Sequence, residues 1–356
     1  SGFNQFGWVR DGVGRAAVGM RLSTFDTHTR PQGYELRWLP STFRSATLGG
    51  LFGGGFGGAG SINYGPLAAP GNVLAVKAMS IEPDPQILEF RGPEAMLLHH
   101  TYGTNGLVLE MEMALAPAID WMECIVTFEH FDAALDFAHQ FGQAPGCVKK
   151  EVCFLGAPAP DYMTMLSEYL PKGCHAVLVV LAPWSEDAMR QMASFHGGQI
   201  SYRKTAKEVA ASNRTLIEFT WNHTTLHALK IDKSLTYIQS GFTPARCLQQ
   251  VRALEQALAG EVMMHLEFLR TKDGAFNCSG LQLIRYTSDE RLNEIMQIYR
   301  DHGVQINNPH VYIVEDGKQN NQLDPAVLRM KQRLDPQGLL NPGKLRTWDQ
   351  MKAKAN

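Results

Sequence analysis

Apolar and polar positions from residue 121 to residue 301 recur with two periods in turn, two residues and then three to four. Alternation predicts strands over residues 121–128, 147–155, 176–182, 262–269 and 280–286, and helical spacing predicts helices over 132–141, 161–170, 186–195, 245–258 and 289–301. Short loops join them. Strands and helices in this order suggest an antiparallel sheet covered by helices on one face, an α+β arrangement. The first 117 residues read differently. Residues 9–20 alternate around Gly12, Gly14 and Gly19 as two short strands and a turn, leading to a helix near 23–29 with Ser23 as its cap. Further strands are expected at 34–40, 73–81, 87–90 and 107–115. Pro117 marks the change of composition. Near the end, residues 324–333 read as a helix with Asp324 as cap and Pro325 at its first position.

Ahead of the strand at 73–81 lies the stretch from Thr47 to Gly65, in which nine of nineteen residues are glycine. Glycine lets backbone approach a ligand and take positive φ, and successive N–H groups make an anion-binding concavity. The stretch therefore reads as a phosphate-handling loop. A flexible linker is the alternative, but Leu48, Leu51, Phe52 and Phe56 sit between the glycines, where a solvated linker has little use for them.

Thr47-Leu48-Gly49-Gly50, then Tyr64-Gly65, then Gly71-Asn72-Val73-Leu74, and far downstream the run from Leu334 to Lys344 that contains Asn341-Pro342-Gly343, follow one another in an order that resembles a known family. It is that of the FAD-linked oxidases of the vanillyl-alcohol oxidase / p-cresol methylhydroxylase type. The resemblance implies a two-domain flavoprotein: a PCMH-type FAD-binding domain over 1–118, an inserted FAD-linked oxidase C-terminal domain over 119–323 that holds substrate, and a return to the first domain over 324–356. It implies FAD contacts by Ser41, Thr42, Thr47, Gly49, Gly50, Gly54, Gly57, Gly58, Ser61, Tyr64, Gly65, Asn72 and Val73. Gly106 would send a strand past the adenine, with backbone groups of Leu107 and Val108 meeting the base, and Asn341 would touch the flavin or the domain boundary. For Ser41, Thr42 and Thr47, ordinary turn chemistry is an equal reading. In the family a further phosphate loop precedes the point where this sequence opens, at Ser1-Gly2-Phe3-Asn4, so the first lobe is expected to lie outside it.

Composition narrows the partners. A net charge of −2 over 356 residues gives no basic field for a nucleic-acid backbone. No apolar run is long enough to span a bilayer. Six scattered cysteines without a CxxC pair suggest reduced thiols, and with them a cytoplasmic protein. Electron acceptor and oligomeric state stay open, a homo-oligomer among the readings.

Three segments carry candidate chemistry. In Thr220–Lys230 a helix capped by Thr220 or Asn222 would put His223 and His227 on one face with Lys230 a turn on. Zinc is disfavoured there because Thr224 stands where the zincin pattern needs Glu, and adjacent His99 and His100 do not face one ligand sphere; no metal is expected. An imidazole base with Asn222 or Lys230 holding a carboxylate fits better. The second segment holds His310, about where the family's hydroxyacid dehydrogenases place their catalytic histidine, although Asn308-Pro309-His310 replaces the family's own loop. The third is Arg285, a carboxylate clamp or an ordinary ion-pair partner. Together these suggest an FAD-dependent oxidase or dehydrogenase acting on a small hydroxy compound, a 2-hydroxy acid in particular, by hydride transfer; a catalytically inactive fragment or binding subunit is the alternative.

Overall fold

The computed structural model describes residues 2–307, 309, 311–317 and 321–355. It divides into two compact units, the first made of Ser1–Gly57, Leu67–Ala118 and Asn308–Asn356, the second of Gly58–Pro66 and Ile119–Asn307. The sequence reading placed 308–323 with the inserted domain and 58–66 with the first; the compact units divide the chain otherwise at both places.

In the first unit, β1 (Phe6–Arg10) and β2 (Val13–Ala17) form a hairpin closed by Asp11 (φ 49°) and Gly12 (φ 73°), the Asp-Gly pair that a two-residue turn with both central φ positive demands. Next come α1 (Leu22–Thr29), β3 (Tyr34–Leu36), α2 (Leu48–Gly54), β4 (Val73–Met79), β5 (Ile87–Arg91) and β6 (Leu107–Pro117). The six-stranded sheet runs β1-β2-β6-β4-β5, with β3 on the far end of β6, and every pairing is antiparallel. The alternation in β6 explains its place at the centre: Met111 and Met113 are buried, while Glu110 and Glu112 meet Arg15 of β2 at 2.8 and 2.7 Å, and Arg91 of β5 reaches Glu112 at 2.6 Å. The helix Pro325–Leu334 closes this unit, its N-terminus capped as expected by Asp324, which accepts from the Ala326 N–H at 2.7 Å.

Two local readings change here. Ser23 does not cap α1; Arg21 holds that position without a side-chain bond, so Ser23 lies in the first turn. The glycine stretch is not one open loop. Leu48, Leu51 and Phe52 fall at i, i+3 and i+4 and are all buried, and that apolar stripe, with Thr47 accepting from Gly50 N–H, winds the glycines into α2.

The second unit opens with α3 (Ser61–Tyr64). It continues with β7 (Met122–Phe128), α4 (Phe131–Gln143), β8 (Lys149–Leu155), β9 (His175–Leu181), α5 (Glu186–Phe195), β10 (Gln199–Lys204), α6 (Ala206–Ser212), α7 (Asn222–Ile231), β11 (Leu235–Tyr237), β12 (Gln239–Gly241) and α8 (Cys247–Ala257). β13 (Val262–Met263), β14 (His265–Arg270), β15 (Phe276–Gly280), β16 (Leu283–Arg285), α9 (Asp289–Asp301) and β17 (Gln305–Asn307) complete it. An eight-stranded antiparallel sheet of order β10-β7-β9-β8-β14-β15-β12-β17 forms its body, beside a three-stranded sheet β11-β16-β13. Val126, Val152, Phe154, Val177 and Phe268 on one face pack against Phe137, Met189, Leu254 and Ile295 from α4, α5, α8 and α9. The expected α+β architecture with helices over an antiparallel sheet is what the structure shows. On the opposite face, Ile125, Cys153, Leu155 and Leu178 meet Leu216, Phe219 and Ala228.

The expected helix at 161–170 is absent. Pro158, Pro160 and Pro171 bracket the segment, which forms two 3-10 turns, Ala159–Tyr162 and Thr164–Leu166. The expected strands 262–269 and 280–286 each split between the two sheets, the first at Met264 and the second between Gly280 and Leu283.

Candidate active site

In the first unit the glycine segment adjoins a loop of unusual backbone. His99 directs Nε2 at the carbonyl oxygen of Gly55 at 3.3 Å and its ring lies edge-on to Phe52. From there His100, Tyr102, Gly103 and Gly106 all take positive φ, 52°, 53°, 67° and 70°, within seven residues. Two of these are not glycine, and such strain persists only where surrounding contacts fix it. Here Thr104 bonds the Thr101 carbonyl, Asn105 donates to Val327 O at 3.0 Å, and Asn341 donates to Tyr102 O at 2.5 Å. At Gly106 a Cβ would stand 2.9 Å from Leu334, so packing as well as φ selects glycine.

The loop delivers Leu107 and Val108 to the start of β6. Both pair with β4, but β2 reaches β6 only from Ala114 to Glu110, followed by a bond from Val18 N–H to Leu109 O at 3.0 Å. A bulge at Leu109 interrupts the pairing of β6 with β4, and Leu107, beyond the end of β2, is 40% exposed.

The other residues picked from sequence are distributed as follows. Thr47 caps α2; Gly49 lies against Val18, and a Cβ at Gly54 would meet nothing within 4 Å. Ser41 is buried and Thr42 exposed, while Asn72 is buried and accepts from Arg37 at 2.8 Å. Val73 is a buried residue of β4. In the second unit Gly57's successor, Gly58, donates its N–H to the Ser61 hydroxyl at 3.2 Å, and Gly60 (φ 110°) and Gly65 (φ 68°) bound the one-turn helix that holds Tyr64.

The polar segment 220–230 does form a helix, but Trp221, not Thr220 or Asn222, holds the N-cap position of α7, at φ 52°. Asn222 and Lys230 are exposed. His223 and His227 share a face, their rings 6.4 Å apart. His223 Nδ1 and His227 Nε2 each lie 3.2 Å from the carbonyl oxygen of Glu218, so each donates a ring proton there. That leaves Nε2 as the basic nitrogen of His223. Burial pushes both imidazoles below their ordinary pKa, so both are neutral at pH 7. Arg285 ends β16 in the three-stranded sheet, is exposed, and faces Asp232 electrostatically. His310 lies outside the described residues.

Sequence reasoning passed over a polar patch beneath α7. Glu151 and Cys153 on β8 and His265 and Glu267 on β14 are all buried. Trp221 reaches two of them, through its backbone N–H to Glu267 at 2.5 Å and its indole N–H to Glu151 at 3.0 Å. Polar side chains two residues apart in otherwise apolar strands were the available signal, since period two sends them to one face.

No protein-family model and no curated protein sequence matches the chain. The fold does match solved structures. Two crystal forms of alkyldihydroxyacetonephosphate synthase superpose with TM-scores of 0.65 and 0.64 at 13% identity, over 96% of this chain. The chain spans 66% and 67% of the length of those two structures. The class so defined is a two-domain, FAD-linked-oxidase-like fold. The particular likeness is to alkyldihydroxyacetonephosphate synthase; the vanillyl-alcohol oxidase branch is not singled out.

Proposed function

We propose that this chain binds FAD and serves as a flavin-dependent oxidoreductase on a small hydroxyl-bearing substrate, a 2-hydroxy acid being the substrate class to test first. In this reading the first compact unit is the FAD-binding domain and the second the substrate domain. The observation that carries the proposal is the FAD-linked-oxidase-like fold over 96% of the chain. What supports the cofactor in the first unit is the backbone itself: the loop 100–106 holds four positive-φ residues and ends at Leu107, where β6 begins to pair with β4, and Gly106 is a position no side chain would tolerate cheaply.

Bound FAD would supply a two-electron acceptor for hydride. The chain's part is to orient substrate and move the hydroxyl proton. His223 is suited to that transfer, because its Nδ1–H is held by Glu218 O and Nε2 is an unprotonated base at pH 7. His310 remains the other candidate base, with Asn222 and Arg285 as carboxylate partners.

Single-turnover reduction of bound flavin tests the reading, scanned over 2-hydroxy acids and, because of the neighbours' name, a three-carbon phosphate ester. His223→Asn and His310→Asn are compared with the parent. Loss of a base slows reduction by roughly 10²- to 10⁴-fold with the flavin spectrum unchanged. Parent rates in both variants end the assignment of the base. Flavin uptake without reduction by any hydroxy compound leaves a binding subunit instead.

A further inference from the structure

We infer that Cys153, His265 and Glu267 form a buried site for one divalent transition-metal ion of the zinc class, on the face of the eight-stranded sheet covered by α7. The inference is independent of the flavin reading. Cys153 stands on β8 directly across from Glu267 on β14, and His265 precedes Glu267 by two residues, so strand alternation turns all three side chains to one face. One donor atom from each, Sγ, a ring nitrogen and a carboxylate oxygen, lie within 4.8 Å of one another, and all three residues are buried. Metal–ligand lengths of about 2.0–2.3 Å place tetrahedral donors roughly 3.3–3.6 Å apart, so small side-chain rotations suffice to close the site.

Three further observations point to a cation. His265 Nε2 lies 2.7 Å from Glu267 Oε1 and Nδ1 3.2 Å from the Leu281 carbonyl oxygen, so an ion that replaced the proton between Nε2 and the carboxylate would leave the other ring proton held on Nδ1, as metal-bound imidazoles require. Glu267 Oε1 accepts from Trp221 N–H, whereas Oε2 is fully buried with no hydrogen-bond partner among the described residues. A buried carboxylate oxygen without a donor is expensive, and a metal ion would satisfy it. Trp221 adopts φ 52°, a costly conformation for a bulky residue, and in it both the backbone N–H and the indole N–H are aimed at the carboxylates of this patch.

Charge agrees with this choice. A divalent ion with one thiolate, one carboxylate and a neutral imidazole sums to zero, so the occupied site buries no net charge. Glu151, which accepts from the Trp221 indole through Oε2, adjoins Glu267 and is not one of the three ligands. The thiolate and imidazole favour zinc over magnesium or calcium. His223 and His227 belong to a different arrangement, since each commits a nitrogen to Glu218 O.

The test is metal analysis of the purified full chain, unfolded with chelator and refolded with Zn²⁺ or Co²⁺ alone. The expected result is about one equivalent per chain, with a thiolate-to-cobalt charge-transfer band in the Co²⁺ form. Cys153→Ser should abolish that band and, with His265→Gln, weaken metal retention by at least roughly ten-fold, whereas Cys174→Ser should leave both unchanged. If Cys153→Ser fails to fold, the band in the wild-type chain and its survival in Cys174→Ser still decide. A refolded wild-type chain that takes up neither ion overturns the inference, as does retention undiminished in folded Cys153→Ser and His265→Gln.

Discussion

One carbonyl oxygen, that of Glu218, receives a ring nitrogen from both His223 and His227, and this sets the tautomer of each. The consequence for His223 is a pH dependence. Burial lowers its pKa below 6.5, and in the proposed reading the neutral ring is the base, so flavin reduction should be level at neutral pH and fall as pH drops through that lowered value. In His223→Asn the acid limb should vanish; an unchanged limb assigns it elsewhere. A second residue acts on stability alone. Glu186 accepts from both nitrogens of the Arg203 fork at 2.8 Å and from Arg190 at 2.5 Å, which depresses its pKa to about 2. Because the folded value lies below the unfolded one, its contribution is present above the ordinary carboxylate pKa and is lost as pH falls towards about 2. Glu186→Gln should therefore cost roughly 1 kcal/mol at pH 7 and nothing at the acid end of that window, as denaturant titrations at several pH values would show.

At the scale of elements, the closing helix Pro325–Leu334 is tied to the strained loop by a buried charge. Lys331 Nζ lies 2.7 Å from Thr104 O and 2.5 Å from Asp335 Oδ2, and Asp335 also accepts from the N–H groups of Leu339 and Leu340. Asp335→Asn should destabilise by roughly 3–5 kcal/mol, because the lysine stays buried without its counter-charge. Adding Lys331→Met should recover part of that loss in a chemical-denaturation cycle; no recovery would show that the loop bonds, not the charge, matter. Elements of this kind were legible in the sequence where a cap or an unbroken period marked them, the cap at Asp324-Pro325 and the period in α5 and α9. They were not where a tertiary choice decided. Leu48, Leu51 and Phe52 were visible as apolar, yet their helical spacing was masked by the glycines between them. The strands around Met264 and Gly280 split because residues adjacent in sequence join different sheets, which no local pattern encodes. The patch of Cys153, His265 and Glu267 escaped for the same reason: its members stand on strands whose pairing is known only from the fold.

For the whole molecule, the fold matches that of alkyldihydroxyacetonephosphate synthase over 96% of the chain, and α+β class and antiparallel sheet were readable from periodicity alone. Among the described residues no helix is long and apolar enough to cross a membrane. The candidate site was only partly readable. Glycine-rich backbone announces itself in sequence, whereas the tautomer of His223, the exposure of Arg285 and the turn at Trp221 depend on partners far along the chain. Gly106, held at φ 70° with a Cβ position 2.9 Å from Leu334, should matter more than Gly54, where a Cβ meets no atom within 4 Å, so Gly106→Val should weaken cofactor uptake and Gly54→Ala should not. The most direct measurement is calorimetric titration of the purified, folded chain with FAD. Saturable uptake of about one FAD per chain, weakened in Gly106→Val, is what the account predicts. A folded chain that takes up no FAD would contradict it.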